Sequence, residues 1–157
     1  GGRLGSDESM SEKDEFIRHF REIQPKMSRF YARILNEADL NLSQFALLNL
    51  LSSAGSLPMT EVSAKLHVSK PAVTNLVDRL EEARLLKRLP HPHDRRVSLL
   101  EIQSRGEKVV RTVQAAALDF LLKAFERLNS AERRTVTEFY ASLSKTMDDV
   151  LTKREKR

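Results

Sequence analysis

The sequence contains no cysteine, and it has only five glycines and five prolines among its 157 residues. The absence of cysteine excludes disulfide bonds, thiolate catalysis and thiol-based sensing of oxidants. The low content of glycine and proline excludes a collagen-like or low-complexity chain. Hydrophobic residues make up 40% and charged residues 31% of the chain, which is the balance of a globular protein.

Long apolar segments are also missing. No run of apolar residues approaches the roughly 18 that a transmembrane helix requires. The N-terminal segment lacks the apolar core and basic flank of a signal peptide, so we expect a cytoplasmic protein with no membrane partner.

Basic residues exceed acidic ones only modestly, with 27 Lys and Arg against 22 Asp and Glu. Their placement is more informative than their number. Between residues 84 and 96 the only acid is Asp94, and such a basic cluster suits a polyanionic partner. The bases of this cluster are Arg84, Lys87, Arg88, Arg95 and Arg96. The basic residues at the end of the chain are interpreted as a frayed, solvated tail.

Long amphipathic helices are predicted at both ends of the chain. Apolar residues recur every three or four positions over Asp14–Leu35 and Ser104–Leu128, and again after Ser130, which is predicted to cap the last helix. Pro25 lies inside the first helix and predicts either a kink or a restart there. Residues 1–10 lack this pattern, and we expect them to be disordered or derived from an expression tag.

The middle of the chain predicts short helices followed by a hairpin. Asn41 and Gln44 have the spacing of a capping box, and they precede a nearly all-apolar helix that we expect to be buried. Two further helices are predicted with a tight turn between them, and then two strands joined by the basic segment PHPHDRR. These elements are predicted over Phe45–Leu51, Met59–Leu66, Lys70–Arg84, Leu86–Leu89 and Val97–Ile102.

Two helices joined by a tight turn and followed by a hairpin describe a winged helix-turn-helix. The predicted fold is therefore mainly α with a small β-hairpin wing. We expect a single domain over 11–155, with the winged helix at 40–103 and flanking helices at 11–37 and 104–155. The apolar stripes of the flanking helices exceed what the core can cover, so we predict that they form the dimerisation region of a homodimer.

The second helix of the motif carries a polar row opposite its apolar stripe. In a recognition helix such a row faces base edges in the major groove, where Asn75 could pair with adenine and Thr74 could contact a thymine methyl. Residues at the start of the helix are better placed for phosphates, and Ser69 is also a good N-cap. The predicted DNA contacts of this helix are Ser69, Lys70, Pro71, Ala72, Thr74, Asn75 and Arg79.

The basic tip of the hairpin is a second feature that suits DNA. Arg96 could enter a narrow minor groove, Asp94 could hold its guanidinium by a charged hydrogen bond, and Arg95 adds charge beside them. The alternative interpretation is that the helix row faces solvent and that Asp94 and Arg96 form a surface ion pair of little energetic value. A winged helix that contacts only proteins, or one that binds DNA without sequence preference, also remains open.

From Glu12 to Leu151 the sequence resembles the MarR family of regulators. The resemblance is most specific in VSKPAVTNLVDRLEEARLLKR with the later DRR, and LNLSQFALLNLL is similar to the family's second helix. It implies a homodimer with interlocked terminal helices that binds pseudo-palindromic operators, mostly as a repressor, and that a small aromatic or phenolic ligand releases from DNA. It also implies that Arg96 of the motif Asp94-x-Arg96 enters the minor groove.

Three positions depart from the family pattern. His67 stands where the motif turn usually has glycine, and histidine tolerates a left-handed backbone better than most residues. Arg84 replaces the glycine that usually ends the recognition helix, at a cost of about 1 kcal/mol if the backbone there is left-handed. Gln103 replaces a threonine cap after the wing, and we expect Ser104 to cap the following helix instead.

An effector pocket is the least specific expectation, because aromatic residues at helical spacing are more often part of a core. Its candidate lining residues are Phe16, His19, Phe20, Phe30, Tyr31 and Phe45.

Neither a metal site, a cofactor nor an active site is expected. His91 and His93 lack the helical spacing that places two imidazoles on one face. The sequence has no Gly-rich phosphate loop and no recognisable arrangement of His with a nucleophile and a carboxylate. Glu81 and Glu82 are interpreted as a solvated helix face.

Overall fold

The computed structural model describes residues 4–155, with side chains over 11–153. Within this range the chain forms six helices and a small three-stranded antiparallel sheet, which confirms the predicted fold class. The elements are α1 (Leu4–Glu37), α2 (Leu42–Ala54), β1 (Leu57–Pro58), α3 (Met59–Leu66), α4 (Lys70–Glu82), β2 (Leu86–Pro90), β3 (Ser98–Ile102), α5 (Ser104–Glu126) and α6 (Ser130–Glu155). None of the helices in the described range is long and apolar enough to cross a membrane.

Helix α1 is continuous and contains Pro25, so the chain does not restart a helix there. The helix also includes residues 4–10, for which disorder was expected. The sequence from residue 6 to Phe16 contains neither glycine nor proline, so no helix-breaking residue type separates this segment from the amphipathic stretch. Residues 1–3 of the expected disordered segment lie outside the described range.

The core is centred on α2, as its apolar sequence predicted. Asn41 and Gln44 cap the helix reciprocally, because each backbone N–H donates to the other's side-chain oxygen at 2.9 Å. Gly55, with φ at 81°, follows its last residue. The core residues of α2 are joined by buried aliphatic residues from every other element up to α5. The buried residues are Ile34, Leu35, Leu40, Leu47, Leu48, Leu51, Leu57, Val62, Val73, Val77, Leu80, Leu85, Leu86, Leu100, Val110 and Val113.

Three helices end on a residue other than glycine in the left-handed conformation: Asp39 after α1, His67 after α3 and Arg84 after α4, with φ at 56°, 54° and 62°. Each is followed by a residue whose N–H donates to the carbonyl oxygen five positions earlier, which is the closing bond of a Schellman motif. These bonds are Leu40 to Leu35, Val68 to Ser63 and Leu85 to Leu80. His67 adopts the left-handed backbone that the sequence predicted it would tolerate. Arg84 also adopts a left-handed backbone, which is energetically unfavourable for a residue with a Cβ atom.

The sheet has the order β1-β3-β2, and both pairs are antiparallel. The hairpin pairs Leu86 with Ile102 at its base and Pro90 with Ser98 toward its tip, close to the predicted ends. Strand β1 was not predicted, because a strand of two residues shows no alternation in the sequence.

Two helix caps differ from the prediction. Ser104 is the first residue of α5, so Gln103 occupies the cap position, where its carbonyl oxygen accepts the N–H of Glu107 at 2.9 Å. Ser130 likewise lies inside α6, because Asn129 and Glu132 form a second reciprocal capping box with two bonds of 2.9 Å. An Asn side chain three residues before Glu provides the better cap, since both partners of the box are then present.

Gly106 allows α5 to approach the turn between α4 and β2. A Cβ atom at this position would lie 2.2 Å from the carbonyl oxygen of Leu85 and 2.8 Å from Cγ1 of Ile102. The same carbonyl oxygen accepts the N–H of Gln103 at 2.9 Å. The chain that leaves the wing is therefore held against the end of α4.

The described residues up to Ala117 form one compact unit, and those from Leu118 onward form a second. The first contains the winged helix and the buried core. Large apolar side chains are exposed on α1 of the first unit, and they are also exposed throughout the second. They are Phe16, Ile17, Phe20, Ile23 and Tyr31 on α1, and Leu118, Leu121, Leu122, Phe139, Tyr140, Leu143, Met147, Val150 and Leu151 in the second unit.

Candidate nucleic-acid interface

Helix α4 packs on the core with one face and exposes the other. Val73, Val77 and Leu80 are at most 1% exposed, and their spacing fixes the rotation of the helix about its axis. The structure brings the residues predicted to contact DNA together on α4 and its N-cap. Ser69, Lys70, Pro71, Thr74, Asn75 and Arg79 are exposed, and Ala72 is half-buried.

The N-terminus of α4 is shaped by residues that the sequence identified. Ser69 caps the helix by accepting the N–H of Ala72 at 3.3 Å, and Pro71 lies in the first turn. That turn contains no acidic residue, so the partial positive charge of the helix N-terminus is not offset within it. Such an end favours a phosphate group.

Thr74 donates its hydroxyl proton to the carbonyl oxygen of Lys70 at 3.1 Å. The proton is therefore used within the helix, which leaves the methyl group and the acceptor lone pairs of the hydroxyl oxygen for a partner. This arrangement agrees with the predicted contact to a thymine methyl.

The tip of the wing is a turn organised by Asp94. Its carbonyl oxygen accepts the N–H of Val97 at 3.1 Å, and its Oδ1 accepts the N–H of Arg96 at 3.0 Å and the Nε proton of Arg96 at 3.4 Å. The Arg96 side chain is 92% exposed, whereas that of Asp94 is 42% exposed. An exposed ion pair adds little to stability, so its main effect is to direct the guanidinium away from the protein. Arg95 beside it is exposed as well.

Arg88 on β2 was grouped by sequence with the bases that suit a polyanion, but in the structure it binds α4. Its Nη1 donates to Glu81 at 2.7 Å, its Nη2 donates to Asp78, and its backbone N–H donates to the second oxygen of Glu81 at 2.9 Å. The hydrogen bond with Asp78 contributes most to raising the pKa of Arg88 above its ordinary value, with Glu81 acting in the same sense and burial opposing them.

Glu81 is half-buried and bonded, so the solvated face predicted for it is wrong, whereas Glu82 is exposed as predicted. The sequence carries no signal for this contact, because Arg88 and its partners lie on different elements, seven and ten positions apart.

The turn between α3 and α4 is closed by a side chain that the sequence did not single out. Ser63 donates its hydroxyl proton to the carbonyl oxygen of Val68 at 2.6 Å, and Val68 donates its N–H to the carbonyl oxygen of Ser63 at 3.2 Å. These two bonds close the turn that contains the left-handed His67.

The residues predicted for an effector pocket fall into two groups. Phe30 and Phe45 pack against the core, whereas Phe16, Phe20 and Tyr31 are exposed on α1. His19 is exposed and lies near Glu15 and Glu22 of its own helix. At 1.5 Å per residue, His19 and Phe30 are about 16 Å apart along α1. Within one chain these side chains do not converge on a common point, so the effector pocket stays a prediction.

The histidines of the wing take part in the backbone structure of the loop. His91 Nδ1 accepts the N–H of His93 at 3.1 Å, and the His91 N–H donates to the carbonyl oxygen of Val97 at 3.1 Å. In the described part of the chain, no three His, Asp or Glu side chains form a group that could hold a metal ion.

Comparison with known proteins places this geometry in a family. The model of the MarR family matches residues 38–97, from the end of α1 to the tip of the wing. Among curated relatives, the HTH-type transcriptional regulator MhqR of Bacillus subtilis is 30% identical over 108 residues, covering 67% of this chain and 72% of MhqR.

Solved structures agree with the fold. The transcriptional regulator Tm0710 of Thermotoga maritima is 29% identical with a TM-score of 0.70, over 88% of this chain and 98% of that protein. A variant of S. aureus MepR, solved bound to an oligodeoxyribonucleotide, has a TM-score of 0.68 at 21% identity, over 86% of this chain and 97% of MepR.

Proposed function

Because the chain belongs to the MarR family of DNA-binding transcription regulators and not to a family of enzymes, we propose that it binds a pseudo-palindromic operator as a homodimer. Helix α4 enters the major groove and the wing tip enters the adjacent minor groove. The observation that carries the proposal is the pairing of an exposed row on α4 with a wing whose Arg96 is 92% exposed and directed by Asp94.

Each residue has a distinct role in this proposal. Asn75, Thr74 and Pro71 contact base edges, since they are exposed within the first two turns of α4. Lys70, Ser69 and Arg79 contact phosphates and thereby fix the register of the helix. Arg96 enters the minor groove, where the negative potential of DNA is strongest in narrow A·T-rich segments.

The homodimer is supported by apolar surface that the chain leaves exposed. On α6 the exposed residues Tyr140, Leu143, Met147 and Leu151 follow one helical stripe. The second unit also contains an apolar groove of about 500 Å³ between the end of α5 and the start of α6. Soluble monomers rarely expose a contiguous apolar surface of this kind, and a two-fold partner would cover it.

Selection of binding sites from random duplex DNA, at physiological salt, tests the operator. Recovery of an inverted repeat with half-sites about 10 bp apart would support a two-fold dimer that reads sequence. Recovery of no motif, with binding that weakens steeply as salt rises, would instead indicate nonspecific attraction to phosphates. A sedimentation measurement on the same preparation gives the oligomeric state.

Substitution of Arg96 tests the wing. Arg96→Ala should weaken binding to the selected operator markedly and leave the oligomeric state unchanged. Arg111→Ala on α5 removes the same charge away from the wing and serves as the control. Equal affinities for the wild type and Arg96→Ala would contradict the minor-groove assignment.

Substitution of Asn75 tests base recognition. Asn75→Ala should relax the preference at one base pair in each half-site by about 1–3 kcal/mol, since a bidentate contact to adenine is lost. A uniform loss of affinity across all sequences would make Asn75 a phosphate contact instead.

The repressor role and release by a small aromatic ligand belong to the same proposal, and they rest on the family resemblance. Operator binding measured with and without a phenolic compound tests the release. A compound that lowers operator affinity while leaving the dimer intact would support it. The same measurement on variants of Phe30, which packs against the core, and of Phe20, which is exposed, would then show which group of candidate pocket residues responds to the compound.

A further inference from the structure

We propose that Arg88 is a positioning residue for DNA binding, which holds the wing at one setting on α4 so that the recognition helix and Arg96 engage DNA together. The inference rests on the function proposed above and goes beyond it by assigning a role to the contact between the two DNA-binding elements. It is carried by the bonds that join Arg88 to Asp78 and Glu81.

The contact links an edge strand to a helix. Strand β2 has β3 as its neighbour in the described sheet, and Arg88 lies in the middle of it, opposite Leu100. Glu81 accepts both the backbone N–H and the guanidinium of Arg88, so one carboxylate binds the strand at two points. The two terminal nitrogens of the guanidinium fork donate to two different carboxylates, Nη1 to Glu81 and Nη2 to Asp78. Because the guanidinium is planar and rigid, these two bonds restrict rotation and sliding more than a single point charge does.

The second carboxylate, that of Asp78, lies on the face of α4 that is proposed to face DNA. Asp78 follows Thr74 and Asn75 by one helical turn, and its side chain is 58% exposed. The Arg88 side chain is only 28% exposed, so its charge is directed at the helix more than at solvent. Arg88 therefore connects the exposed face of α4, which carries Thr74 and Asn75, to the strand that continues into the wing tip.

Two effects of this contact predict opposite results when the carboxylates are removed. If only charge matters, loss of Asp78 and Glu81 strengthens DNA binding, because two negative groups leave a surface that faces phosphates. If position matters, the same change weakens binding, because β2 loses the bonds that Arg88 makes with α4. The sign of the effect therefore separates positioning from simple electrostatics.

The first experiment measures operator affinity of the variant carrying Asp78→Asn and Glu81→Gln, by fluorescence anisotropy with the selected operator. We expect a loss of about tenfold, which is within the range for residues in one bonded network. Glu82→Gln removes a negative charge from the same helix and leaves both partners of Arg88 in place, so its affinity should be unchanged or slightly higher. Affinity of the double variant equal to or above that of the wild type would overturn the proposal.

The second experiment asks whether Arg88 acts through the wing. Arg88→Gln should weaken binding about tenfold in the wild-type background but less than about twofold in a chain that already carries Arg96→Ala, because the wing contact is then absent. Lys87→Gln removes the same charge from the neighbouring exposed position and controls for electrostatics. Equal losses from Arg88→Gln in both backgrounds would show that Arg88 does not act through Arg96.

If thermal melting shows that Arg88→Gln does not fold, Arg88→Lys replaces it in the affinity measurement, because lysine keeps the positive charge. Lysine cannot form the fork, so we expect affinity well below wild type. Wild-type affinity of Arg88→Lys would overturn the proposal in favour of charge alone. Failure of the function itself has a different signature, which is the absence of any selected motif or of any effect of Arg96→Ala.

Discussion

The winged helix and the long helices that flank it differ in how much of their apolar surface the chain itself covers. Leu47, Val62 and Leu100 in the winged helix are 0% exposed, whereas Met147 and Leu151 on α6 are 55% and 59% exposed. Both regions contain helices with apolar residues at helical spacing in the sequence. The difference teaches that periodicity predicts the element, whereas the cover for its apolar face can come from another molecule.

The largest effect on stability is expected in the winged helix, whose apolar core is buried within the chain itself. Leu48→Ala removes a fully buried side chain and should lower the free energy of unfolding by about 2–5 kcal/mol, because a cavity remains at a densely packed site. Leu42→Ala on the same helix is the control, since Leu42 is 70% exposed. Urea unfolding measures both. Similar losses for Leu42 and Leu48 would break the contrast between covered and exposed apolar residues.

The exposed stripe on α6 is the next test. If α6 forms the proposed homodimer contact, Met147→Asp should weaken dimerisation by about 100-fold or more, equivalent to about 2.7 kcal/mol, because a charge would enter the apolar surface. Sedimentation equilibrium measures the change. Ala141→Asp lies away from the stripe on the same exposed helix and should leave the dimer intact. An unchanged dimer in Met147→Asp would place the interface elsewhere.

Gly106 tests how tightly α5 is held against the end of α4. Gly106→Ala should destabilise the protein by about 1–3 kcal/mol, which is typical of overpacking. The new Cβ would meet the carbonyl oxygen of Leu85 at 2.2 Å, and a backbone atom cannot rotate away as a side chain can. Ser104→Ala, at an exposed position in the same turn, is the control in thermal unfolding. Greater stability of Gly106→Ala would show that α5 does not need this close approach.

The smallest effect, of opposite sign, is expected at the end of α4. Arg84→Gly should stabilise the protein by about 0.5–1 kcal/mol, because glycine adopts the left-handed conformation at φ 62° without a steric penalty. Ala83→Gly is the control, since Ala83 is right-handed at φ −77° and glycine there should destabilise. Destabilisation by Arg84→Gly would mean that the arginine side chain contributes more than the strained backbone costs.

Most of the fold could be predicted because its signals are local. Helix α3 has the predicted bounds, the capping box of Asn41 and Gln44 forms as its spacing indicates, and the hairpin pairs within one residue of its predicted ends. Four of the seven residues predicted to contact DNA, Ser69 to Ala72, are consecutive at the start of α4, whereas Thr74, Asn75 and Arg79 lie near one another because a helix places residues four apart on one face. Strand β1 and the cap at Asn129 were missed, the first for lack of length and the second because Ser130 is an equally common cap residue.

The sequence by itself determined the order of the helices and of the hairpin, the apolar faces and the polar row on the exposed face of α4, since these depend on residue type and spacing along the chain. Only the tertiary structure decided that Arg88 binds Asp78 and Glu81, that Gly106 meets the backbone of Leu85, and that Arg84 ends its helix in a left-handed conformation. These contacts join elements whose separation in space depends on how the core packs. Packing brings together residues that no local pattern marks as partners.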